Sequence, residues 1–165
     1  MDAPDVCNAM GAFDAFFAEQ YPGVVRSLTL ALSDRDLAEE AAQDGFARAL
    51  ELWADVSSMD RPTAWVYVVA MNRAKDRFRR GGRGAGRSDA VSPDPAGAVA
   101  TAVSVRVALA ALAPRQREAV VLRFLADLTV AEIAAVMGCA PGTVKSTLHH
   151  ALNALRVDLE DGEEL

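Results

Sequence analysis

The sequence is poor in cysteine and in aromatic side chains, and it has no long apolar run. Its two cysteines, Cys7 and Cys139, make neither a disulfide framework nor a metal-ligand cluster, so both read as small reduced apolar residues and no cofactor is expected. Aromatics are only 6% of the chain, and no glycine-flanked β-branched runs recur at strand spacing. Alanine, leucine and valine dominate instead, so the expected fold is all-α. No stretch approaches the roughly twenty apolar residues needed to cross a bilayer. The N-terminus also lacks a basic region followed by an apolar core, so a cytoplasmic protein with no membrane contact of its own is expected. There is no glycine-rich phosphate loop, no metal motif, and no serine or cysteine set beside a histidine by a recognisable motif. A non-enzyme is expected.

What is present is a chain of 165 residues, 52% of them hydrophobic, enough for one ordinary domain or two small helical ones. The net charge is −6, but the charges are segregated. Up to Asp60 there are twelve acids against three arginines, and from Arg73 to Arg87 there are seven basic residues against one acid, Asp76. After Arg156 the tail DLEDGEEL adds five acids. A basic stripe within an acidic body should bind free DNA poorly, which implies a partner that supplies affinity.

The most sharply punctuated stretch runs from Leu128 to Arg156. Thr129 and Glu132 have capping-box spacing, so a helix should start at about Val130. Ile133, Ala134, Val136 and Met137 form its buried stripe, and Gly138 stands where a left-handed residue would end it. Pro141 suits the first position of a second helix, because its missing N–H would have had no partner there. That helix should turn Val144, Leu148, Ala151, Leu152 and Leu155 inward and show Thr143, Lys145, Ser146, Thr147, His149 and His150 outward. Two short helices joined through a glycine turn, the second displaying small polar and basic groups, describe a DNA-reading helix-turn-helix. An ordinary helical hairpin with a solvated outer face is the plainer alternative. Ala140 departs from the motif by offering no capping oxygen.

Earlier in the chain, Phe13, Phe16, Phe17 and Tyr21 open a first helix that Pro22 should interrupt or restart, with Val24, Val25, Leu28, Leu30 and Leu32 beyond it. Ser33 and Asp34 read as a cap for a long helix over about 35–54. On it Leu37, Ala41, Ala42, Phe46, Ala49, Leu50 and Trp53 should face a core, while Glu39, Glu40, Gln43 and Asp44 make an acidic face that periodicity alone reads as solvated. A polar loop over 55–62 precedes a helix from Pro62 to about Arg80, whose last turns carry Arg73, Lys75, Arg77, Arg79 and Arg80. Basic groups near aromatic ones on one helix suit single-stranded nucleic acid, although the helix macrodipole also favours cations there. From 81 to 103 the composition is that of a flexible linker. Two helical domains, 10–80 and 104–158, should flank it. On these residues, a stand-alone helix-turn-helix regulator and a helical adaptor that binds only protein both remain open.

Three segments in order, LAEEAAQDGFARALELW, PTAWVYVVAMNRAKDRFRR and LAPRQREAVVLRFLADLTVAEIAAVMGCAPGTVKSTLHHALNAL, resemble regions two and four of a bacterial RNA polymerase sigma factor of the extracytoplasmic-function group. The resemblance implies a chain that binds core RNA polymerase and directs promoter-specific initiation. By that resemblance Glu40, Gln43 and Asp44 match the polymerase-docking surface. The loop over 55–63 with Trp65, Tyr67, Asn72, Arg73, Lys75 and Arg79 matches the part that opens and reads the minus-ten element. Thr143, Lys145, Ser146 and His149 would contact the minus-thirty-five element in the major groove. Members of the family are commonly held inactive by an anti-sigma factor, which the resemblance adds to polymerase and promoter DNA as a partner. Thr147 and His150 stand where the family often has basic residues, and Val68 replaces a common arginine.

Overall fold

The computed structural model describes the backbone of residues 3–81 and 99–161 and the side chains of residues 10–80 and 105–156. Among the described residues there are eight helices and no strand. These are α1 (Ala3–Leu32), α2 (Arg35–Glu51), α3 (Trp53–Val56), α4 (Pro62–Gly81), α5 (Val99–Ala111), α6 (Pro114–Phe124), α7 (Val130–Met137) and α8 (Pro141–Asp161). They fall into two compact units. The first is built on α1 as far as Thr29, α2, α3 and α4; the second is built on α5 to α8.

In the first unit α1 continues through Pro22, where the sequence predicts a break. The lost hydrogen bond and ring clash of an interior proline cost about 3 kcal/mol, and burial on both sides opposes that cost. Phe13 precedes the proline, and Val24 and Leu28 follow it, all buried. The predicted long helix stops at Glu51, and Trp53 starts the single turn of α3 instead. Trp53 packs back on α1, with its ring 5.2 Å from Phe13 and 5.1 Å from Phe16. Phe17 and Tyr21 close the cluster against Phe46 of α2 at 5.1 and 5.6 Å. Aromatic residues are few, but they are concentrated here.

The α2–α4 contact depends on small residues. Ala38, Ala41, Ala42, Gly45 and Ala49 are all buried on α2, and Val66, Ala70, Met71 and Ala74 meet them from α4 with no exposure. A Cβ at Gly45 would lie 3.2 Å from both Ala70 Cβ and the Val66 carbonyl oxygen, so the glycine sets how closely the helices approach. Leu50, predicted for the core, is 47% exposed, because the stripe of small residues is narrower than the apolar pattern suggests. Leu37 is half-buried. Val56 is fully buried and anchors the segment that the sequence reads as a polar loop.

In the second unit Ala119, Val120, Val121 and Leu122 of α6 are buried with Ile133, Val136 and Met137 of α7 and Val144, Leu148 and Ala151 of α8. Fully burying each of the valine, leucine, isoleucine and methionine side chains among them contributes about 1.5–3 kcal/mol before entropy. Asp127 takes a left-handed backbone, φ 51°, in the turn between α6 and α7. Arg123 Nη1 donates to the Leu128 carbonyl there at 3.1 Å, and Arg115 Nη2 donates to the Met137 carbonyl at the end of α7. Leu152 is 44% exposed rather than buried, since the covered stripe of α8 is narrower than its apolar pattern. The predicted linker overlaps α5, which begins at Val99. At its other end Gly81 is the last residue of α4, and residues 82–98, the side chain of Cys7 and the side chains of the acidic tail lie outside the described residues.

Candidate functional site

Helix α4 begins at Pro62, a residue suited to a first turn. Thr63 Oγ1, in that turn, donates to Gln20 Oε1 of α1 at 3.2 Å. Of the predicted nucleic-acid residues, Asn72, Arg73 and Arg79 are exposed, and Trp65 and Lys75 are half-buried. Trp65, Asn72 and Arg79 repeat at seven-residue spacing and so share one stripe, while Arg79 pairs with Asp76. Tyr67 does not join them. It is 4% exposed, and its hydroxyl donates toward Ser27 Oγ at 3.1 Å and the Gly23 carbonyl at 3.3 Å. The Tyr67 side chain therefore belongs to the α1–α4 interface, because position 67 lies on the same helical face as Ala70, Met71 and Ala74. Phe78, to which the sequence reading gave no role, continues that stripe and is 50% exposed. The segment ahead of α4 carries exposed Ser57, Ser58, Met59 and Asp60, and Ser58 Oγ donates to the Asp55 carbonyl at 2.7 Å.

The acidic face of α2 lies beside this helix. Glu40 and Gln43 are exposed and Asp44 is half-buried. Arg77 of α4 reaches across to Glu40 at 2.6 Å and toward Asp44 at 3.9 Å. Glu39 pairs with Arg35 instead, at 2.8 Å.

In the second unit the helix-turn-helix is built as its punctuation predicts. Thr129 Oγ1 accepts from the Glu132 N–H at 3.2 Å, and Glu132 Oε2 accepts from the Thr129 N–H at 2.6 Å. Gly138 ends α7 in the left-handed region, φ 61°. In place of a capping side chain, the Ala140 carbonyl accepts from the Thr143 N–H at 2.9 Å and starts α8. Thr143, Lys145, Ser146, His149 and His150 are exposed, and Thr147 is half-buried. Ser146 and Thr147 both donate their hydroxyl hydrogens to the Thr143 carbonyl, at 3.0 and 2.8 Å. Their outward lone pairs are left as acceptors. His149 Nε2 lies 3.1 Å from Asn153 Nδ2, which pins the ring along the helix. Among the described residues, no group of three His, Cys, Asp or Glu is placed to hold a metal ion, and no helix is long and apolar enough to cross a membrane.

Two family models match the chain: Sigma-70 region 2 over residues 16–84 and Sigma-70 region 4 over residues 102–155. Among curated proteins, the ECF RNA polymerase sigma factor SigL of Mycobacterium tuberculosis is 31% identical over 78% of this chain and 77% of its own length. SigC of the same organism is 31% identical over 90% and 84%. Among solved structures, the sigma factor RpoE of Bartonella quintana, crystallised with the anti-sigma factor NepR, superposes with a TM-score of 0.66 at 28% identity. That match covers 90% of this chain and 97% of the other. CnrH, solved with the cytosolic domain of CnrY, shares the fold at a TM-score of 0.58 and 22% identity.

Proposed function

The chain belongs to the extracytoplasmic-function sigma factors of RNA polymerase, and from that premise we propose how its residues divide the work. As a sigma factor it is not an enzyme. It binds core RNA polymerase and directs promoter-specific initiation. Glu40, Gln43 and Asp44 on α2 dock on the polymerase. Trp65, Asn72, Arg73, Lys75 and Arg79 on α4, with the loop over 57–61, engage the opened minus-ten strand. Unstacking a base costs a few kcal/mol, which the polymerase contact offsets. Thr143, Lys145, Ser146 and His149 on α8 read the minus-thirty-five element from the major groove. Tyr67 is left out of the DNA set because its hydroxyl is engaged inside the first unit. Residues 10–80 and 104–158 act as the two working domains, and the chain acts in the cytoplasm. An anti-sigma factor is included as a regulator by analogy with the Bartonella quintana relative.

The observation that carries this reading is the acidic row on α2 packed directly beside the cationic row on α4, since cations suit a DNA strand and acids suit a cationic protein surface. The test is fluorescence-detected binding to purified bacterial core polymerase, natural chain against Asp44→Arg. Tight binding that the variant loses supports the docking assignment; equal binding by both would refute it.

A further inference from the structure

Arg77 belongs to neither set of residues above. It stands four residues after Arg73 and three before Arg80 on α4, so the three guanidinium groups share one helical stripe. All three side chains are exposed. The middle one is engaged with α2: Arg77 Nη1 lies 2.6 Å from Glu40 Oε2, and Nη2 lies 3.9 Å from Asp44 Oδ2. Two carboxylates against one guanidinium leave negative charge in excess at the centre of a cationic row. A phosphate approaching that point meets repulsion.

The bridge is built to be exchanged. Arg77 is 48% exposed, Glu40 51% and Asp44 43%, and ion pairs this open to solvent are weak and easily replaced. Resting on the docking role given above to Glu40 and Asp44, we propose that Arg77 is a DNA-phosphate ligand that the free chain keeps neutralised and that docking on polymerase releases. Cationic groups of the polymerase surface, complementary to the acidic row, take the two carboxylates. The guanidinium then turns outward through its flexible side chain, and Arg73, Arg77 and Arg80 present three adjacent cations to one strand. DNA affinity is thereby added on assembly, in a chain whose net charge of −6 disfavours DNA by itself.

The test uses the full chain and one fluorescent single-stranded oligonucleotide, with binding read by anisotropy over a salt series. Replacing both acids, Glu40→Gln with Asp44→Asn, should tighten binding by up to about fivefold, the equivalent of one surface ion pair. Adding Arg77→Ala to that background should remove the gain. It should also lower the slope of log affinity against log salt by about 0.7, the signature of one strand phosphate. In the natural acidic background Arg77→Ala should change the slope far less. If Arg77→Ala leaves the slope unaltered in the neutralised background, the proposal is overturned, because the gain then comes from overall charge alone. Assembly of the Glu40→Gln/Asp44→Asn chain with core polymerase is measured in parallel. Undiminished assembly would remove the docking role and with it the release step, whereas the slope alone decides the phosphate contact.

Discussion

Tyr67 of α4 places its hydroxyl 3.1 Å from Ser27 Oγ of α1, with both side chains almost wholly buried. The same hydroxyl lies 3.3 Å from the Gly23 carbonyl, one residue past the proline of α1. The aromatic residue that family resemblance assigns to DNA thus joins α4 to α1 and sets the position from which Trp65, Asn72 and Arg73 face outward.

Tyr67→Phe removes that tie and leaves Ser27 Oγ buried without its partner, at a cost of about 1–3 kcal/mol. Denaturant unfolding should show the loss. At matched folded fraction the affinity of the holoenzyme for an opened minus-ten strand should be retained, and a loss of affinity beyond the loss of folded protein would return the Tyr67 hydroxyl to the DNA interface.

The same group predicts an alkaline instability. Burial, the largest influence, raises the Tyr67 phenol above its ordinary value of 10.0, partly offset by the Ser27 hydrogen bond and the Arg26 charge. A folded-state pKa above the unfolded one means the stabilisation is complete below the unfolded value and is lost as pH rises through the folded one. Stability should therefore fall above about pH 10 in the natural chain, and this component should be missing in Tyr67→Phe. Unfolding midpoints of the two chains over an alkaline pH series make the comparison.

Gly45 is the contact point of α2 and α4, and a Cβ there would meet the Ala70 Cβ and the Val66 carbonyl oxygen at 3.2 Å, neither of which can swing aside, and Val66 Cγ1 at 3.3 Å. Gly45→Val should destabilise the first unit by about 1–3 kcal/mol, as overpacking does. Because the helices must part, polymerase binding should weaken as well. A variant as stable as the natural chain would show that the interface can slide open without cost.

Two glycines of the helix-turn-helix should respond oppositely to alanine. Gly138 is left-handed, so Gly138→Ala should cost about 1–2 kcal/mol. Gly142 is the second residue of α8, and a Cβ there would meet nothing within 4 Å, so Gly142→Ala should stabilise by a fraction of the roughly 1 kcal/mol that separates the two residues in a helix interior. Thermal unfolding of the two variants should bracket the natural chain.

Lys145 and Ser146 are neighbours on α8 with different expected roles. Lys145→Ala should weaken holoenzyme binding evenly across promoter variants and reduce the duplex salt slope by about 0.9. Ser146, its hydroxyl hydrogen committed to Thr143, offers an acceptor suited to the amino groups of adenine or cytosine. Ser146→Ala should relax preference at one base pair and leave the slope as it was. Binding measured across a minus-thirty-five library separates the two outcomes.

What the sequence by itself determined is local. The cap at Thr129 and Glu132, the end of α7 at Gly138 and the start of α8 at Pro141 each depend on atoms no more than four residues apart, so the chain specifies them before it folds. The order of the two matched regions was legible for the same reason, since motif segments are read without knowing their neighbours. Tertiary structure alone decided that α1 runs through Pro22, that Tyr67 is buried while Leu50 and Leu152 are not, and that Val56 anchors the loop before α4. Periodicity gives the direction of an apolar stripe, but its width is set by the partner helix. The Arg77 bridge to Glu40 spans 37 residues of sequence, and only the close packing that alanines and Gly45 permit between α2 and α4 brings those charges together.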